Sequence, residues 1–108
     1  MKNDFGLKPS DLEMICRIME KEPEIEQALI FGSRAKGTYK LGSDVDIALK
    51  GKNITSQIVT HVSFHLNEET PMPYKFDVLN FHTITEPALT EHINRVGKLF
   101  YEKQLFKD

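Results

Sequence analysis

An apolar run, Ala28-Leu29-Ile30-Phe31, breaks at Gly32-Ser33, and ten residues later Asp44-Val45-Asp46 opens a second run, Ile47-Ala48-Leu49. No other feature constrains the fold as much. Two apolar runs of this length joined through a Gly-Ser turn and a short connection read as strand, turn, strand. Side chains alternate faces along a strand, so Asp44 and Asp46 point the same way, about 6–7 Å apart. Val45, Ile47 and Leu49 point the other way, toward a core. Two like charges side by side on one face are costly unless a cation lies between them. Carboxylate pairs of this kind hold Mg²⁺ against substrate phosphates. Gly32 lets backbone approach an anion closely. Ser33 opens a helical turn whose free N–H groups attract phosphate.

The rest of the chain supplies a frame. Ser10-Asp11-Leu12-Glu13 has the pattern of a capping box and predicts a helix from about residue 11, with Leu12, Ile15, Cys16 and Met19 on one face and Pro23 at its end. The first strand is expected at 26–31, a short helical turn from Ser33 to Gly37, and the second strand at 44–50. Thr55 or Ser56 caps a helix with Ile58, Val59, Val62 and Leu66 inward. A third strand is expected at 74–80. Thr85 caps a last helix with Pro87 in its first turn, a stripe of Leu89, Ile93 and Val96, and Gly97 at its end. Leu99-Phe100-Tyr101 reads as a short final strand. The fold class is α/β (α+β): a small mixed sheet packed with helices, one domain over 1–108. Asp77 lies in the third strand and joins Asp44 and Asp46 if that strand neighbours the second.

The stretch from Gly32 to Leu49 resembles the signature of the polymerase β-type nucleotidyltransferases, and more narrowly the minimal nucleotidyltransferase (MNT) family. The resemblance covers about residues 24–101. It implies nucleotide binding at Gly32, Ser33 and Arg34, with Asp44, Asp46 and Asp77 as catalytic acids and ligands of two Mg²⁺ ions. The implied reaction is transfer of AMP from ATP. Lys36 stands where many members carry arginine and offers a point charge rather than a fork. Members of this family pair with a small helical HEPN toxin and silence it by modifying a tyrosine, so the resemblance implies a HEPN-type partner, a hetero-oligomer and an antitoxin role. Two alternatives stay open. One is a small hydroxylated acceptor such as an aminoglycoside; the other is a binding antitoxin with silent chemistry.

Composition narrows the setting. A net charge of −2 lacks the basic surplus of a nucleic-acid binder. One cysteine, Cys16, excludes an internal disulfide and points to a reducing, cytoplasmic setting. No apolar run reaches the ~18 residues of a membrane span, and MKNDFGLKPS does not read as a signal peptide. The expectation is no direct nucleic acid and no membrane. His61 and His65 are four apart on the predicted third helical segment and could share a metal, but no third ligand is evident, and a partly solvated helix face is the expected reading. His82 and His92 have no partner in the sequence. Cys16 and the seven phenylalanines are expected to pack.

Overall fold

The computed structural model describes residues 5–40 and 42–103. Phe106 and the last residues of 1–108 lie outside them. The elements are α1 (Pro9–Glu20), β1 (Gln27–Phe31), α2 (Ser33–Lys36), β2 (Val45–Lys50), α3 (Ser56–Glu68), β3 (Phe76–Asn80), a 3₁₀ turn (Phe81–Thr83), α4 (Pro87–Val96) and β4 (Lys98–Glu102). The four strands form one mixed sheet in the order β3-β2-β1-β4. β1 is antiparallel to β2 and to β4, while β2 and β3 run parallel.

The sheet is covered unequally. On one face Ala28, Ile30, Val45, Ile47, Leu49 and Phe76 are buried with Ile15 and Met19 of α1 and Val62 and Leu66 of α3. Each of these side chains larger than alanine stabilises the fold by about 1.5–3 kcal/mol on burial. On the other face Phe31 and Ala48 pack with Ile93 of α4, flanked by Leu79, Phe81, Ile84 and Leu89. This second cluster is small, and the acids lie on its face. Central strands with both sides covered explain why β1 and β2 read as nearly continuous apolar runs.

Several boundaries differ from the sequence reading, each for a local reason. α1 begins at Pro9 behind Lys8, with no side-chain cap. Proline at the first position is already preorganised for the helix, so Ser10 falls inside it and the capping box does not form. Pro87 acts the same way in α4: the cap is Glu86, whose carboxylate accepts from the Ala88 N–H, rather than Thr85. Thr55 does cap α3, accepting from the Ile58 N–H. β3 begins at Phe76, not Tyr74. There Asn67 of α3 accepts from the Phe76 N–H (2.9 Å) and donates to the Phe76 carbonyl (3.0 Å), clamping the start of this edge strand to the helix. Phe5, Phe31 and Phe76 are buried, as expected of packing, whereas Phe64 is 52% exposed. The Cys16 thiol donates to the Phe100 carbonyl at 3.7 Å, and burial, then Glu20 and Glu13, push its pKa up. Among the described residues no helix is long and apolar enough to cross a membrane.

Candidate active site

The site gathers where β1 ends and β2 and β3 begin. The parallel pairing of β2 with β3 sets Asp46 opposite Asp77. Asp46 also pairs across to Phe31, the residue before Gly32. One strand end, one turn and two strand starts therefore meet at a single carboxylate. Asp77 and Asp44 are exposed, while Asp46 is half-buried. Burial first, then the charges of Asp77 and Asp44, push the Asp46 carboxyl above the usual aspartate range; His92 pulls it the other way. His92, on α4, sits edge-on to Phe31 with ring centroids 6.2 Å apart. The sequence offered no sign of this histidine's place, because only the packing of α4 across Phe31 and Ala48 brings it here.

Gly32 is shaped by the same carboxylate. Its backbone has φ 74° and ψ −152°, a region open essentially to glycine alone. A Cβ there would lie 2.3 Å from Asp46 Oδ2. Ser33 opens α2, which closes at Gly37 in the left-handed conformation, where the Gly37 N–H donates to the Ser33 carbonyl. Lys36 is exposed.

Arg34 has a different place from the one expected of a nucleotide ligand. It is 3% exposed. Its Nη1 donates to the Phe5 carbonyl (2.9 Å), and Nε and Nη2 both donate to the Ser43 carbonyl (3.2 and 3.1 Å). The guanidinium lies over the rings of Tyr39 and Tyr74, 5.1 Å from each centroid. It is turned away from solvent. Its work is to fix Ser43, the residue before Asp44, and to tie that connection to the N-terminal segment. Arg34→Ala is expected to lower stability by about 2–4 kcal/mol in urea unfolding, since it strands buried carbonyls and removes a stacked side chain. Nucleotide affinity per folded molecule should fall far less.

The donor set fits a hard divalent cation. Three carboxylates share one patch, and the middle one is strained by the charge of the other two, a cost that a cation would turn into attraction. Among the described residues no three His, Cys, Asp or Glu side chains are already gathered as a metal cage. A magnesium site needs none, because it keeps waters and takes oxygens from substrate phosphates.

Known proteins share this architecture. The family model for polymerase beta nucleotidyltransferases matches residues 13–105. A CCA-adding enzyme of Nanoarchaeum equitans (strain Kin4-M) is 37% identical over 70 residues, covering 59% of this chain but only 18% of that enzyme. A chain in the crystal structure of a toxin–antitoxin with AMP-PNP superposes with a TM-score of 0.69 at 19% identity, over 91% of this chain and 76% of that one. A chain in the complex of a tri-AMPylated Shewanella oneidensis HEPN toxin with its MNT antitoxin superposes at 0.67 and 14% identity, over 90% and 74%. At such identities the structural likeness is one of fold. The family model spans the turn, all three acids and every strand, and the chain belongs to the polymerase beta nucleotidyltransferase family.

Proposed function

We propose that this chain transfers AMP from ATP to a hydroxyl of a HEPN-type toxin and so acts as its antitoxin. The observation that carries the chemistry is the pairing of Asp46 with Asp77 in adjacent parallel strands, beside Asp44 and against the Gly32 turn. The partner is supported by the fold shared with chains from toxin–antitoxin crystals.

In this reading Asp44, Asp46 and Asp77 hold two Mg²⁺ ions. When bound, these supply charge neutralisation of the triphosphate and a lower pKa for the attacking hydroxyl. The chain's own residues do the rest. Gly32 presents backbone without a side chain, so the phosphates can approach Asp46. The Ser33 hydroxyl and the first N–H groups of α2 donate to the β- and γ-phosphates. Arg34 keeps Asp44 in register through Ser43. The acceptor oxygen attacks the α-phosphorus, the bond to the β-phosphate oxygen breaks, and pyrophosphate leaves. Asp77, the exposed acid beside Asp46, takes the hydroxyl proton.

The test is incubation of the chain with labelled ATP, Mg²⁺ and a HEPN partner, followed by intact mass of both proteins. Gain of one or more AMP units on the partner supports the reading; an unchanged partner with labelled ATP intact defeats it. One observation favours a second acceptor, an RNA 3′ end: the relative over 70 residues is a CCA-adding enzyme. RNA added to the same assay separates the two by where the label goes. Ser33→Ala is expected to weaken ATP binding by about tenfold, the effect of one hydrogen bond to a charged group, and AMP binding much less. Calorimetry with both nucleotides checks it, and equal weakening would move Ser33 away from the β- and γ-phosphates.

A further inference from the structure

On the sheet face opposite the acids, α3 carries a second group of titratable residues. His61 and His65 are one helical turn apart, with ring centroids 4.5 Å apart. Their Nε2 atoms face each other at 3.1 Å. The outer nitrogen of each ring is held by a carboxylate. His61 Nδ1 meets Glu22 Oε2 at 2.5 Å, reaching from α3 to the turn after α1. His65 Nδ1 meets Glu69, one turn on. The Glu22 side chain is only 13% exposed, so its end of the row is not a loose surface pair.

Counting protons gives the row its meaning. A carboxylate accepts, so each Nδ1 carries its hydrogen toward Glu22 or Glu69. That leaves the two Nε2 lone pairs aimed at one another, and they repel unless something positive lies between them. A single shared proton can do this. A transition-metal ion does it with two bonds. Zinc–nitrogen bonds of 2.0–2.1 Å at a tetrahedral angle set two imidazole nitrogens about 3.3 Å apart, close to the spacing already present. A carboxylate on the far nitrogen of a ligating histidine is also the usual support of such sites: it fixes the tautomer, aims the ring and raises its basicity. Two carboxylates around two neutral rings complement a dication.

We propose that His61 and His65 form a two-imidazole site for a divalent transition metal of the zinc type, with Glu22 and Glu69 as positioning residues. The metal sits between the two Nε2 atoms. Only two protein ligands converge here, so the remaining positions go to water or to a donor from a docked protein. Both ligands lie on α3, and the His61–Glu22 contact links the site to the turn after α1. Magnesium, which prefers oxygen donors, is not bound at this pair.

Zinc chloride titrated into the full chain by calorimetry tests this, with the melting temperature as a second readout. The expected result is one Zn²⁺ per chain at this site. The melting temperature should rise by about 5 °C at ten times Kd. Copper should bind more tightly than zinc, and cobalt more weakly. The double variant H61A/H65A should lose the site. Glu22→Gln and Glu69→Gln, which keep both histidines, should each weaken it about tenfold. Asp46→Asn should leave it unchanged. Zinc affinity unaltered in H61A/H65A would overturn the proposal, as would loss of zinc binding in Asp46→Asn with the histidines intact. Because the readout is metal binding rather than AMP transfer, failure here and failure of the proposed function are told apart.

Discussion

Asp46→Asn is expected to remove nucleotidyl transfer, by at least about 10³-fold, while leaving the unliganded protein as stable as wild type or slightly more so. The two effects have one source. Asp46 is half-buried between Asp44 and Asp77, and its pKa is raised. A carboxyl whose folded pKa lies above its unfolded value holds its proton more tightly in the native state. Its ionisation above that pKa therefore costs stability. Asparagine relieves this cost at neutral pH and changes nothing at low pH, where both states are protonated. The difference in unfolding free energy between variant and wild type should thus open as pH rises from about 3 toward 7. Paired urea titrations across that range check it. A variant less stable than wild type at pH 7 would make Asp46 a structural residue and undo the metal-site reading.

Gly32→Ala is expected to damage both fold and activity. The backbone conformation at Gly32 costs an ordinary residue about 1–3 kcal/mol, and the new methyl would stand 2.3 Å from Asp46 Oδ2. Either the carboxylate moves or the turn does. In both cases the acids lose their relation to the phosphate end, and transfer should fall by about 10²-fold or more, as for misplacement of a catalytic group by about 1 Å. Gly37→Ala is the matching control. It also has positive φ, 81°, but no atom stands within 4 Å of its Cβ position. It should lose stability without a comparable loss of transfer per folded molecule. Equal losses of activity in the two variants would mean that the contact with Asp46 does not matter.

What the sequence by itself determined about this chain was local. The apolar run into Gly32-Ser33, the ten-residue gap and the Asp44-Val45-Asp46 alternation specify a strand–turn–strand unit with two acids on one face, because side-chain direction on a strand depends only on position in the chain. The element order and the short final strand were legible for the same reason. Helix starts were less so: Pro9 and Pro87 each moved a cap by fixing the first helical residue. What only the tertiary structure decided were relations between segments far apart in sequence. Asp77 meets Asp46 because β3 pairs parallel to β2 and Asn67 sets where it begins. His92 reaches the acids because α4 packs on Phe31 and Ala48. Arg34, which looked like part of the phosphate end, turned inward because the carbonyls of Ser43 and Phe5 needed its donors and two tyrosine rings received its charge. The His61–His65 spacing was visible in the chain, but the glutamates that hold its outer nitrogens were not. One comes from another element, and the other depends on how the two rings turn.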